Sequence, residues 1–137
     1  MYIDTSCLVA YYVPEPKSDY VQETIQNLNR VSISSVTEIE MLSAIRKKQR
    51  MDELSEEHGF KAYDLFKTHI KNGLFEILEL NASVFRASEY ILRNSSLPLR
   101  TLDALHLGMA VEHKTSIFTF DDILLEAAGE IKIKAVK

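Results

Sequence analysis

Four acids, Asp4, Glu40, Asp103 and Asp121, stand in apolar surroundings along this chain. Asp4 closes the strand-like run Met1-Tyr2-Ile3, and Asp121 follows Ile117-Phe118-Thr119-Phe120. Glu40 lies inside the segment from Val36 to Ile45, and Asp103 inside the helical segment from Leu97 to Val111. Carboxylates are seldom buried unless they are paired or bind a metal, so four at element ends point to one shared divalent-cation site. Hard ions such as Mg²⁺ and Mn²⁺ prefer carboxylate and water oxygens, and an all-acid set suits them better than Zn²⁺. The chemistry such ions support is phosphodiester hydrolysis, where they stabilise the developing charge and activate a water. Like charges packed together raise one another's pKa, so the empty site would be strained and a bound ion would relieve it.

Each acid also has a plainer use. Asp4 and Asp121 are each placed to cap a helix beginning at the next residue, and Asp103 to complement the dipole of its own helix. Glu38 and Glu40 both flank the apolar face of their helix, and periodicity does not choose between them. Taken one at a time, these uses compete evenly with the metal reading; taken together, four of them favour the shared site. His106, one turn after Asp103, reads first as a packed or hydrogen-bonded histidine. Arg100 could meet a phosphate through its guanidinium fork, or could simply be solvated. The basic cluster Arg46, Lys47, Lys48 and Arg50 reads as a solvated helix end, and also as one side of a basic rim around an acidic centre. The glycines are isolated and form no phosphate-binding loop, so nucleoside triphosphate hydrolysis has no support.

The elements that must position these residues alternate. Short apolar runs at Met1 to Ile3, Val31 to Ile33, Phe75 to Ile77, Ser116 to Phe118 and Ile131 to Ile133 read as buried parallel strands. Helical spacing links Val21, Ile25 and Leu28 behind a Ser18 cap, and Tyr63, Phe66 and Ile70 between an acidic start at Ser55-Glu56-Glu57 and a Gly73 stop. Such alternation predicts a parallel sheet with helices on both faces. Ligands of these sheets bind beyond the carboxyl ends of the strands where strand order reverses, and Asp4 and Asp121 would both be presented there.

With 137 residues, 46% of them hydrophobic, the chain fits a single domain able to bury a core. The net charge of −4 argues against broad electrostatic coating of nucleic acid. The lone Cys7 allows no intramolecular disulfide and suits a reducing compartment. No run approaches the roughly 20 apolar residues of a membrane span, and Asp4 spoils a signal-peptide reading. The expectation is a cytoplasmic protein without membrane partners.

Four segments together resemble PIN-domain ribonucleases of the VapC toxin type. Tyr2-Ile3-Asp4-Thr5-Ser6 resembles the family's opening strand and first acid. Ile33-Ser34-Ser35-Val36-Thr37-Glu38-Ile39-Glu40 resembles the serine-rich turn before the second. Leu99-Arg100-Thr101-Leu102-Asp103-Ala104-Leu105-His106-Leu107 resembles the helix of the third, and Ile117-Phe118-Thr119-Phe120-Asp121-Asp122 the motif of the fourth. The resemblance implies one PIN domain over residues 1–137, a Rossmann-like three-layer α/β/α fold with a short, mostly parallel sheet of about five strands. It implies catalytic, metal-binding roles for Asp4, Glu40, Asp103 and Asp121, with Glu40 preferred to Glu38 only on this ground. Thr5, Ser6 and Thr119 would orient the acids or a metal-bound water, ordinary helix capping being the alternative, and Arg100, Arg46 and Lys47 would approach substrate.

The activity so implied is that of an Mg²⁺- or Mn²⁺-dependent endoribonuclease, the toxin of a toxin–antitoxin pair. It would act on structured RNA such as tRNA or rRNA and leave a 5′-phosphate and a 3′-hydroxyl. The expected partners are a cognate antitoxin, which brings an Arg or Lys to the acids, and a second copy in a homodimer. Two alternatives stay open at this point. One is a PIN-like nuclease of RNA processing or of DNA that has no antitoxin, and the other is a catalytically silent PIN binding module.

Overall fold

A computed structural model describes residues 1–137. Its elements run β1 (Tyr2–Ile3), α1 (Thr5–Tyr12), α2 (Ser18–Gln26), β2 (Ser32–Ser34), α3 (Ser35–Arg50), α4 (Glu56–Lys71) and β3 (Glu76–Leu78). They continue with α5 (Ala82–Asn94), α6 (Thr101–Glu112), β4 (Ile117–Phe118), α7 (Asp122–Glu130) and β5 (Ala135–Val136). The strands form one sheet in the order β3-β2-β1-β4-β5, and all four pairings are parallel. Chain order moves outward from β1 through β2 to β3, then jumps to the other side for β4 and β5. The order therefore reverses between β1 and β4.

Successive residues of β1 face opposite sides, as the pleat requires. Ile3 joins Ile33 and Phe118 in a core closed by α1 to α4, where Leu8, Met41 and Phe66 are fully buried. Tyr2 joins Ile117 in a second core closed by α5 to α7, with Val84, Leu107 and Leu124. Helices that connect leftward-moving strands cover one face and those that connect rightward-moving strands cover the other, which is the arrangement right-handed crossovers impose. The result is the expected three-layer α/β/α stack with five strands.

Several boundaries differ from the sequence expectation. The last strand is Ala135–Val136 rather than Ile131 to Ile133. The backbone there closes α7 first: Ile131 N–H donates to Ala127 O, Lys132 takes φ 58°, and Ile133 N–H donates to Ala128 O at 2.8 Å. The two isoleucines pack against the second core instead. β2 and β3 each lie one residue later than their apolar runs, because the ladder continues through Ser32 and Ser34; Ser32 Oγ donates to Glu76 Oε2 at 3.1 Å. Residues 97–100 are not helical, and α6 begins at Thr101, consistent with Pro98 disfavouring helix before it. Ser18 is the first residue of α2 rather than its cap; its hydroxyl donates to Ala10 O at 2.6 Å and ties α2 back to α1. Elsewhere the punctuation works as expected, with Ser55 Oγ accepting from His58 N–H at the start of α4 and Gly73 at φ +75° after its end.

Candidate active site

Asp4 follows the central strand and Thr119 follows β4, its neighbour at the point where strand order reverses. Asp4 N–H donates to Phe118 O at 2.9 Å, which brings the two strand ends side by side. Asp4 is 7% exposed, and its Oδ2 accepts from Ser6 Oγ at 2.6 Å, Thr119 Oγ1 at 2.8 Å and Ser6 N–H at 3.3 Å. Thr119 Oγ1 also accepts from Asp121 N–H at 3.0 Å, so one hydroxyl links the acids that end β1 and β4. Oδ1 of Asp4 has no hydrogen-bond donor.

Glu40 reaches the same place from α3. Its Oε2 accepts from Thr5 Oγ1 at 2.8 Å and from His106 Nε2 at 2.5 Å, leaving Oε1 free. Glu38, two residues earlier, points elsewhere and pairs with Lys67 of α4. The structure thus separates two glutamates that helical spacing left equivalent. Asp4, Glu40 and His106 each offer one ligand atom, and these atoms all lie within 4.8 Å of one another. His106 Nε2 is 3.6 Å from Asp4 Oδ1.

Asp103 and Asp121 are outside that group of three. Asp103 Oδ2 accepts from Arg100 N–H at 2.7 Å in the first turn of α6, and Asp121 Oδ1 accepts from Leu124 N–H at 3.0 Å as the N-cap of α7. Each therefore has one oxygen bound to a helix start and one without a donor. All four acids share this division: a single oxygen is tied to the scaffold and the other is available. Capping and cation binding are consequently compatible in the same side chain.

Behind the acids lies a buried polar chain through His106, which is hydrogen-bonded as its sequence setting suggests; its link to Tyr2 had no counterpart in the sequence reading. Tyr2 Oη is 2.7 Å from His106 Nδ1, 2.9 Å from Ser34 Oγ and 3.3 Å from Thr37 Oγ1. All four residues are buried, and no buried side-chain nitrogen or oxygen in the protein lacks a partner. The available signal was the three-residue step from Asp103 to His106, which places both on one helix face. A tyrosine in a two-residue strand carried none.

The charges of this cluster support one another. Burial alone would raise the Glu40 pKa, but the hydrogen bond and charge of His106, with Thr5, hold it below the usual carboxylate range. Burial alone would lower the His106 pKa, but Glu40, Asp4 and Asp103 hold it above its ordinary value. Burial drives the Tyr2 hydroxyl far above its usual range, so it stays protonated.

A pH dependence follows. Glu40, with a lowered folded pKa, contributes stability above its unfolded pKa of about 4.3 and loses it as pH falls through the folded value. His106, with a raised folded pKa, contributes stability below its unfolded value of about 6.5 and loses it as pH rises through the folded one. With EDTA present, wild type should exceed His106→Gln in stability most between these limits, and the gap should narrow toward alkaline pH. Urea unfolding of both proteins from pH 5 to 9 measures this, and a gap independent of pH would count against the pairing.

The donor set fits a divalent cation, since Asp4 and Glu40 come from different elements, bring carboxylate oxygens within 4.8 Å of each other, and each keep one oxygen without a hydrogen-bond donor. A basic side chain also lies nearby. Ser6 and Lys47 line one surface hollow, and Lys47 has no ion-pair partner. Arg46 is paired with Glu56 and Lys48 with Glu15 and Glu53. The Arg100 side chain is exposed and unpaired.

These parts, a strand-order reversal between β1 and β4, acids at both strand ends and a third from α3, define a nuclease architecture. The chain belongs to the PIN domain family, whose description it matches over residues 1–130, and this places it among the PIN nucleases. Solved structures with the same fold include FitAcB from Neisseria gonorrhoeae (TM-score 0.72, 17% identity, covering 99% of this chain and 96% of that one). They also include VapBC2 from Rickettsia felis bound to a promoter DNA fragment (0.70, 16%, 98% and 96%). A third is VapC20 from Mycobacterium tuberculosis, described as a sarcin-ricin loop cleaving toxin (0.70, 14%, 92% and 93%). No curated protein sequence matches the chain. No helix is long and apolar enough to cross a membrane.

Proposed function

We propose that this protein is an Mg²⁺- or Mn²⁺-dependent endoribonuclease acting as the toxin of a toxin–antitoxin pair in the cytoplasm. The observation that carries the reading is the convergence of Asp4 and Glu40, each with one oxygen fixed by the scaffold and one free. Asp4 Oδ1 and Glu40 Oε1 would hold the cation, with Asp103 and Asp121 completing the acidic set through their own free oxygens. Such an ion lowers the pKa of a bound water and neutralises charge on the phosphate. Ser6 and Thr119 keep Asp4 aimed, and Thr5 does the same for Glu40. Lys47, which shares a surface hollow with Ser6, would meet a flanking phosphate, with Arg46 and Arg100 as further contacts. Attack by water in line with the leaving oxygen leaves a 5′-phosphate and a 3′-hydroxyl.

A single-stranded loop of a structured RNA is the favoured substrate, because its bases can be splayed into a cleft. The description of the Mycobacterium relative as a sarcin-ricin loop cleaving toxin agrees with this class. Other structural relatives are complexes named VapBC, FitAcB and toxin-antitoxin, which supports a cognate antitoxin here. The antitoxin would bring an Arg or Lys to the acids, and two copies of this chain would form a homodimer. The test is incubation of the purified chain with a pool of cellular RNAs. Cleavage should appear with Mg²⁺ or Mn²⁺, stop in EDTA and return when the ion is restored in excess. Cleavage undiminished by EDTA would defeat the metal-dependent reading.

A further inference from the structure

We propose that His106 is a positioning residue: anchored by Tyr2 on the central strand, it fixes the Glu40 carboxylate so that a single oxygen, Oε1, is offered to a divalent cation. This rests on the reading that Asp4 and Glu40 hold that cation. Asp4 needs no such help, because its partners Ser6 and Thr119 lie on its own turn and on the adjoining strand end. Glu40 is different. It projects from α3 on a side chain with three rotatable bonds, and its two holders come from other elements, Thr5 on α1 and His106 on α6.

A carboxylate with both oxygens free can bind an ion through one or both of them. Here Oε2 already accepts from two donors, which leaves Oε1 as the oxygen open to an ion. A carboxylate has no proton to give, so in this contact Nε2 carries the hydrogen and donates. His106 is 2% exposed, and its other ring nitrogen contacts the Tyr2 hydroxyl, which itself sits between Ser34 and Thr37. Turning the ring would break buried hydrogen bonds at both edges.

The arrangement holds whichever proton count the ring carries. A neutral ring accepts a hydrogen bond at Nδ1 from the Tyr2 hydroxyl, while Ser34 or Thr37 donates to Tyr2 Oη. A doubly protonated ring donates from Nδ1 to Tyr2 Oη. In both, Nε2–H remains on Glu40. Direct ligation by Nε2 would instead require that hydrogen to leave and the Glu40 contact to break. Outer partners that orient metal ligands in this way commonly change metal affinity about 10–100-fold when removed.

The test compares Mn²⁺ binding, read by electron paramagnetic resonance, in the full chain and in His106→Gln, His106→Asn and Tyr2→Phe. Gln can carry an amide N–H to the position of Nε2, whereas Asn falls short by one carbon. Wild type and Gln should bind with similar affinity, Asn about 10–100-fold more weakly, and Tyr2→Phe between them. Pulsed spectra of wild-type Mn²⁺ should show no directly bonded nitrogen. Equal affinity in wild type, Asn and Phe variants would overturn the positioning role, as would a directly bonded ¹⁴N coupling. Wild type that takes up no Mn²⁺ at millimolar concentration would overturn the metal reading and this proposal with it.

Discussion

Asp4→Asn should reduce cleavage of RNA by about 10²–10³-fold while leaving the fold intact. The two consequences separate because Oδ2 of Asp4 is held by hydrogen bonds while Oδ1, the oxygen assigned to the cation in the proposed site, is not. The carbonyl oxygen of Asn can take over Oδ2, accepting from Ser6 Oγ and Thr119 Oγ1. The amide nitrogen then replaces Oδ1, and an N–H₂ group donates hydrogen bonds but cannot ligate a cation. The anchoring of the strand end therefore survives and the ion's ligand does not. Isothermal titration should show Mg²⁺ and Mn²⁺ affinity weakened by about 100-fold or more, in keeping with loss of a direct ligand rather than an outer partner. Thermal melts in EDTA should place the mutant within a few degrees of wild type. Undiminished cleavage by a folded Asp4→Asn protein would remove Asp4 from the mechanism.

The largest effect on stability is expected at Gly108, in the middle of α6. A methyl group there would meet Ser88 Oγ at 2.2 Å, Val84 O at 2.9 Å and Ser88 N at 3.2 Å. Two of these are backbone atoms of α5, and Ser88 Oγ is itself buried and donates to Val84 O at 2.8 Å. None of the three can withdraw as the tip of a long side chain could, so the helices must move apart. Gly108→Ala should cost about 2–3 kcal/mol, the upper part of the range for overpacking. Gly129 in α7 is the matched control, since nothing lies within 4 Å of the added methyl. Gly129→Ala should stabilise by about 0.5–1 kcal/mol, because alanine is the better helix former and loses less freedom on folding. Urea denaturation of both proteins measures the contrast. A Gly108→Ala protein within about 0.5 kcal/mol of wild type would show that α5 and α6 are less closely seated than described. Because Asp103 and His106 ride on the same helix, metal affinity should fall with stability in this mutant and stay unchanged in the control.

Much of this architecture could be read before any coordinates. The alternation of short apolar runs with helical spacing implied a parallel three-layer sheet, because only buried strands are apolar on both faces. Asp4 and Asp121 could be placed at its carboxyl edge because each directly follows such a run. What could not be read was set by contacts between distant segments. Ile131 and Ile133 alternate like a strand, yet closing α7 decided their backbone. Ser34 looks like a turn residue and instead ends a ladder, in register with Leu78 of β3. Glu38 and Glu40 differ in what faces them, Lys67 in one case and His106 in the other, and helical periodicity has no access to either. The link from Tyr2 to His106 spans 104 positions, a pairing that neither residue's local sequence indicates.

That β1 is both the first strand and the middle one governs how the protein is made. Asp4 leaves the ribosome well before the hydroxyl that steadies it, which comes 115 positions later. At about 5–20 residues per second, roughly 6 to 23 s of synthesis separate the two. Until then the central strand lacks β4 on one side and Asp4 lacks Thr119. Any chain interrupted before Thr119 lacks the Asp4–Thr119 contact, so the proposed site waits on the synthesis of that residue. For a nuclease, the topology itself supplies a delay between the synthesis of its first acid and the completion of its site.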